Sequence, residues 1–502
     1  MRKDQIKKYS EIATAWPFQE ARKIAELHTK INEGSSYSLP KKQSFVGFES
    51  GFGPSGRPHI GTFFESIRTS MVQKAFRHLT GLPTKFFIVS DDFDALRKVP
   101  DNLPNKEELV SWIGMPLSKV PDPFGKSMSY ADAMTGMLID MLEEYDLEYE
   151  LIKSSEAYVS GEYNETIKRV LQNYEQIDNI VRHSIGPVRQ ETYGLLMPVS
   201  PFSGKIIEHV KIKDINPLEG TYTYVIPSDA IIQKKGVGYG ISPSEYYPDD
   251  PLDQEVTMSA LNGHSKLQWK VDWPMRMVSR NIAYEMHGED LEPAANIAYK
   301  ICRVLETAPP VLYKHGLILD GHGKKISKSN GNGFSLERAQ KYLNSDVIAY
   351  LAFQRPSLQR KFYPGMIPTL YTKYIQDRDS YGEKSQLEKM NNPLFHTMDS
   401  EYEELNSGIS EHPTFHKLVN VIASFSPEDN SKLQPIIEQS LLEYDQQKNV
   451  VDAAFSYYED FIKNSKAYYA PSQQEKTILK QLSKRIEELP DGADSGCVMK
   501  IV

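Results

Sequence analysis

Ser44-Phe45-Val46-Gly47-Phe48-Glu49-Ser50-Gly51-Phe52-Gly53-Pro54-Ser55-Gly56-Arg57-Pro58-His59-Ile60-Gly61-Thr62 is the stretch from which the fold is read. Its first five residues form a short apolar run, the pattern of a buried strand. Glu49 to Pro58 is dense in glycine and proline, which punctuate regular structure. From His59 to Leu79 an apolar face recurs at helical spacing through Ile60, Phe63, Phe64, Ile67, Met71, Val72 and Phe76. Lys85-Phe86-Phe87-Ile88-Val89-Ser90 is the next strand. Strand, glycine-rich turn, helix and strand in that order open a parallel α/β sheet.

The turn is also a place for phosphate. A helix N-terminus presents N–H groups and partial positive charge, and glycine lets a ligand approach the backbone. An imidazole in the first turn, His59, can donate to phosphate oxygens on which charge grows as pyrophosphate leaves. Alone, the stretch reads equally as a tight turn with a surface histidine. A second loop changes that reading. Gly323-Lys324-Lys325-Ile326-Ser327-Lys328-Ser329-Asn330-Gly331-Asn332-Gly333 also follows an apolar run, Gly316 to Leu319. Its lysines are suited to clamp the outer phosphates and stabilise a leaving pyrophosphate without covalent chemistry.

Around these loops the chain divides by pattern. Residues 1–40 form a charged, amphipathic helical extension that Pro17 interrupts. Residues 41–110 and 262–333 are the two halves of a Rossmann-type parallel-sheet domain. Residues 111–261 form an insertion between them, with helices expected at Ser129 to Tyr145 and Glu162 to Val181 and strands at Lys205 to Lys213 and Thr221 to Ile226. Beyond residue 333 helical periodicity dominates, giving a region over 334–390 and an all-helical end over 391–502. A chain of 502 residues suits such a multi-domain plan.

With 40% hydrophobic and 25% charged residues, the composition is that of an ordinary globular protein. No apolar stretch reaches the ~18 residues of a membrane span, and no signal-peptide core is present, so the expected compartment is the cytoplasm. Cys302 and Cys497 make neither a disulfide framework nor a tetrathiolate site. The formal charge of −9 does not exclude a polyanionic partner, because 58 basic residues can be segregated onto one face.

The paired loops resemble the HIGH and KMSKS signatures of class I aminoacyl-tRNA synthetases, at His59-Ile60-Gly61-Thr62 and Lys325-Ile326-Ser327-Lys328-Ser329. Ser90 to Pro100, Gly114 to Gly125, Trp269-Lys270-Val271-Asp272-Trp273-Pro274 and Gly331-Asn332 are similar to the class I lysyl-tRNA synthetase family, a match running from about Phe45 to Pro364. The resemblance implies activation of L-lysine by ATP with Mg²⁺ and its transfer to tRNA(Lys), with no obligate protein partner. His59, Lys325 and Lys328 would be catalytic. Pro54, Ser55, His59, Gly61, Thr62, Asp290, Ser327 and Lys328 would bind ATP, and Gly51, Gly53, Asp91, Asp92 and Trp269 would bind lysine. Glu49, Asp91 and Asp92 are counter-charges for an ammonium or else loop and cap residues. A region contacting the tRNA stem would fall at 334–390 and an anticodon-binding domain at 391–502. Two other readings stand beside this one: another class I synthetase, of glutamyl type, and a catalytically inactive tRNA-binding paralogue.

The chain departs from the family pattern twice. Gly288-Glu289-Asp290-Leu291 lacks the histidine that many relatives carry, and Ser200-Pro201-Phe202-Ser203-Gly204 stands where many have Cys-Pro-x-Cys-Gly. Serine is a poor zinc ligand, so the knuckle is expected to keep its shape without zinc or any other metal. For tRNA contact the candidates are Lys153, Lys168, Arg169, Arg182, Arg189 and Lys205 in the insertion and Lys373, Arg378, Lys417 and Lys484 beyond the second loop, with Tyr371, Phe415 and Tyr457 as possible stacking surfaces for unpaired bases.

Overall fold

The computed structural model describes residues 3–32, 44–100, 103–145, 147–190, 192–233, 240–326, 336–397, 414–424, 448–467 and 469–490, with Leu433, Pro435 and Ile437. At its centre is a five-stranded parallel sheet. Its spatial order is Val311–His315, Ile282–Gly288, Val46–Phe52, Thr84–Ser90 and Glu150–Lys153. The chain therefore builds outward from the first strand in one direction, and after the insertion returns to build in the other. The order reverses between Val46–Phe52 and Ile282–Gly288, and such a switch point leaves a crevice at the carboxyl ends of the strands.

Alternation along the strands sorts side chains onto the two faces. On one face Phe48 packs against Phe76 and Tyr284, with ring centroids 5.8 and 5.9 Å apart. That face is covered by helix Ile60–Thr80, whose expected apolar residues are all buried. One residue further along each strand, Glu49 and Glu285 are register partners and turn to the opposite face, where helix Trp269–Arg280 meets them.

Helices Lys3–Ile12 and Trp16–Asn32 pack on the same body. Pro17 occupies the second position of the latter helix, where its missing N–H costs nothing, and the break lies just before it. The Trp16 indole donates to the Phe353 carbonyl at 2.8 Å, and Asn391 accepts from the Thr14 and Ala15 amides. In the insertion, Ser129 caps helix Tyr130–Glu143, and the second expected helix is two, Asn164–Gln172 and Tyr174–Arg182, meeting at Asn173. Lys211–Asn216, Thr221–Val225 and Val256–Ser259 form an antiparallel sheet.

The run before the second loop departs from expectation. Ile318–Leu319 pairs with Arg360–Lys361 rather than extending the central sheet, whose edge is Val311–His315. Gly316 is the reason: a Cβ there would lie 2.2 Å from the Leu358 carbonyl carbon, so only glycine lets the chain cross that backbone and leave the sheet.

The chain separates into two compact units, residues 1–416 and 417–502. In the second, Lys448–Phe461 buries Val451, Ala454 and Tyr458, while Gln473–Glu487 buries no residue and starts with a capping box from Ser472. Among the described residues no helix is long and apolar enough to cross a membrane.

Candidate active site

The switch-point crevice collects the first motif. His59 is the N-cap of helix Ile60–Thr80, its Nδ1 accepting from the Thr62 amide at 3.2 Å. A ring that accepts at Nδ1 carries its neutral-form proton on Nε2. Gly61 makes this fold-back possible, because a Cβ there would sit 2.9 Å from His59 Cε1. The preceding loop is held from outside: Tyr130 donates its hydroxyl to the Ser55 carbonyl at 3.0 Å, and Arg57 lies over the Phe124 ring. In front of Gly53 a Cβ would meet only open space.

The second motif reaches the same edge through Lys325, whose Nζ donates to Asp290 Oδ2 at 2.5 Å just past the end of strand Ile282–Gly288. Asp320 shapes the loop by accepting from the His322 and Lys324 amides, both at 2.9 Å. Ser327 and Lys328 lie outside the described residues.

Under the crevice lies a buried charge cluster that the sequence reading saw only in part. Lys266, fully buried, donates to Asp91 Oδ1 and Asp94 Oδ1, each at 2.6 Å. Arg276 donates to Asp272 Oδ2 at 3.0 Å and Asp91 Oδ2 at 3.3 Å, and its Nε lies 3.6 Å from Glu49 Oε1. Burial alone would raise the Asp91 carboxyl, but Lys266 and Arg276 outweigh it and hold it below the usual range. Asp92 accepts from the amide and hydroxyl of Ser155, yet burial still pushes it up to about 6. Both aspartates proposed for the amino-acid pocket thus have partners within the protein. Glu49 is buried with neither carboxylate oxygen hydrogen-bonded. Glu285 accepts from the Trp273 indole at 2.9 Å through Oε2, and its Oε1 lies 3.7 Å from where a Cβ on Gly51 would stand.

Trp269 opens the adjoining helix and stacks on Trp273, with centroids 5.3 Å apart and planes 19° from parallel. Trp273 also meets the His287 ring edge-on at 6.1 Å. At the far side of the crevice His315 Nε2 lies 2.8 Å from Glu65 Oε1. Sequence reasoning missed Glu65, Lys266, Arg276, Glu285 and His287. Glu65 follows His59 by less than two helical turns, a signal that was available; the other four, on strand Ser265–Leu267, helix Trp269–Arg280 and strand Ile282–Gly288, meet the first half of the site only through tertiary packing.

In the insertion, Ser200 and Ser203 both donate to the Asp250 carboxylate, Ser203 Oγ at 2.8 Å. Ser200 Oγ in turn accepts from the Phe202 and Ser203 amides. The turn is therefore closed by a carboxylate, and these hydroxyls do not fit a zinc ion. Among the described residues no cluster of three His, Cys, Asp or Glu side chains suited to a metal occurs.

Several tRNA-contact candidates are engaged elsewhere. Lys153 pairs with Asp132 at 2.8 Å and Arg182 with Asp178. Tyr371 and Phe415 are buried and stacked on one another at 5.0 Å, and Tyr457 is also buried, so none offers a face to a base.

A parallel sheet with a histidine-capped helix at its switch point and a lysine loop across the crevice is the architecture of a class I synthetase. A family model described as tRNA synthetases class I (K) matches residues 14–401, and the chain belongs to this family. Named relatives resemble it over almost their whole length. The lysine--tRNA ligase of Roseobacter denitrificans is 32% identical over 493 residues, 97% of this chain and 86% of that protein. The lysine--tRNA ligase of Rickettsia bellii is 34% identical over 498 residues, 97% and 87% of the two chains.

Proposed function

We propose that the protein is a lysine--tRNA ligase, which joins L-lysine to AMP at the expense of ATP and passes the lysyl group to tRNA(Lys). The observation that carries this is the identity of 32–34% to lysine--tRNA ligases across nearly the whole chain. The contact between Lys325 and Asp290, which brings the second motif to the end of strand Ile282–Gly288, the neighbour of the strand that leads into the first motif, supports it.

In the first step the substrate carboxylate attacks the α-phosphate and pyrophosphate leaves. His59, with its proton on Nε2, donates to the α-phosphate oxygens, and Gly61 and Thr62 stand in the first turn of the helix, whose dipole favours the phosphate. Pro54 and Ser55 shape the loop against the nucleotide, and Asp290 serves the ribose. Lys325, Ser327 and Lys328 take the outer phosphates, with which Mg²⁺ enters. Gly51, Gly53 and Trp269 form the lysine pocket, the indole face lying along the methylene stem. Asp91 and Asp92 support the lysine pocket from behind, Asp91 through its pairs with Lys266 and Arg276 and Asp92 through Ser155. In the second step a hydroxyl at the tRNA 3′ end attacks the adenylate carbonyl, forming the ester as AMP leaves, while residues 334–390 contact the stem and 391–502 the anticodon. The enzyme needs no zinc and works in the cytoplasm. Charging of tRNA(Lys) transcript with labelled lysine tests this reading: ATP-dependent, acid-precipitable label is the expected result, and its absence with active ATP and intact tRNA would refute it.

A further inference from the structure

Glu49 and Glu285 are direct neighbours on adjacent parallel strands, on the same face of the sheet, and both are buried. Like charges placed opposite one another destabilise a sheet, and a buried carboxylate needs a cation or a proton. The cations at hand are already shared. Lys266 serves Asp91 and Asp94, and Arg276 serves Asp91 and Asp272 while standing 3.6 Å from Glu49. Five buried or partly buried carboxyl groups thus surround two cations. Arg280, the next nearby cation, pairs with Glu162 at 2.7 Å.

We propose that Glu285 is the specificity-determining residue for the side-chain ammonium of the substrate, and that it exchanges a proton for that ammonium on binding. This rests on the lysine reading above. Glu285 Oε1 lies 3.7 Å and Arg276 Nη2 3.6 Å from where a Cβ on Gly51 would stand, while Glu285 Oε2 is fixed by the Trp273 N–H. The groups that face Glu285 are Glu49 on the first strand, Arg276 on the Trp269–Arg280 helix, Glu65 on the motif helix and Cys302 on helix Glu292–Val304. Burial and then Glu49 push its carboxyl well above the usual range, more than Arg276 and the indole pull it down. Arg276 stands 3.6 Å from Glu49 while only the indole N–H meets Glu285, so of this pair it is Glu285 that carries the proton in the empty site. When an ammonium arrives, the carboxyl O–H gives its proton to water, and the carboxylate left behind pairs with the incoming charge. An uncharged side chain of equal length brings no such partner and leaves the proton in place, so the exchange itself selects for a cation.

The test is titration calorimetry of lysine into the full-length enzyme between pH 6 and 8, in buffers of different ionisation heat. Wild type should release close to one proton per lysine, and its affinity should rise up to tenfold per pH unit until Glu285 ionises unaided. Glu285→Gln keeps an acceptor for the Trp273 N–H. It should bind lysine roughly 30-fold or more weakly, release no proton and show no pH slope. Lysine binding to wild type without proton release would overturn the proposal, and so would a folded Glu285→Gln enzyme with unchanged affinity. Should that variant not fold, the wild-type proton count decides alone. Failure of wild type to bind lysine while binding another amino acid would overturn the lysine reading and the proposal together.

Discussion

His59 does two jobs that a sequence motif does not separate. As N-cap it accepts the Thr62 amide, and as a neutral ring it presents a donor at Nε2. The two are separable by substitution. Asparagine caps a helix well, so His59→Asn should keep the melting temperature near that of wild type, whereas His59→Ala should lose ~1 kcal/mol. Both should slow adenylate formation by roughly 100- to 1,000-fold, the usual cost of one preorganised donor. Single-turnover adenylate formation alongside thermal melts checks this, and a fast Asn variant would reduce His59 to a cap. His59 and the acids at 91 and 92 were legible because short motifs announce them. That Lys266 and Arg276 neutralise Asp91 was not, nor that Glu49 faces Glu285, since these partners lie on the other side of the insertion, and tertiary packing brings the first pair to Asp91 as strand register brings Glu285 to Glu49.

Elements carry the departures from the family pattern. In the Ser200–Gly204 turn Asp250 occupies the role of a shared anchor, held by both serine hydroxyls. Asp250→Ala leaves two buried or half-buried donors unmade, so a loss of ~1–3 kcal/mol is expected, read as a lowered melting temperature. Metal analysis should find no stoichiometric zinc, and chelation followed by Mg²⁺ should leave activity intact; one tightly held zinc per chain would contradict the account. In the second loop, Lys328→Ala should cut the rate of adenylate formation by ~2.7–4 kcal/mol, with little change in lysine affinity, because its charge meets one that develops only as pyrophosphate departs. Near-normal turnover would remove the loop from the mechanism. The strand–turn–helix opening was legible from periodicity and glycine. The exit of Ile318–Leu319 from the sheet was not, because an apolar run does not say which neighbour it pairs with, and Gly316 shows its purpose only against the backbone it crosses.

At the scale of the molecule, the N-terminal helices and Pro393–Thr397 close over the motif helix around buried His396 and half-buried His78. Burial, with Lys74 and Arg77 nearby, lowers His78 to about 4, and burial lowers His396 to about 3, its Nε2 donating to the Met390 carbonyl. Because both rings titrate lower when folded, their stabilising contribution is complete above the unfolded value of ~6.5 and is lost as pH falls toward 4 and 3. At pH 5 the cost is about 2 kcal/mol per ring, so melting should shift down between pH 7 and 5, and less so in His396→Phe. An unshifted transition would contradict the burial of these rings. The central claim, that this body activates lysine, is tested most directly by ATP–pyrophosphate exchange with lysine, arginine, ornithine and glutamate on wild type and Trp269→Ala. The account predicts that lysine is strongest on wild type, that ornithine is weak because its ammonium falls one methylene short, and that Trp269→Ala loses lysine affinity. Faster exchange with arginine or glutamate on wild type would contradict it.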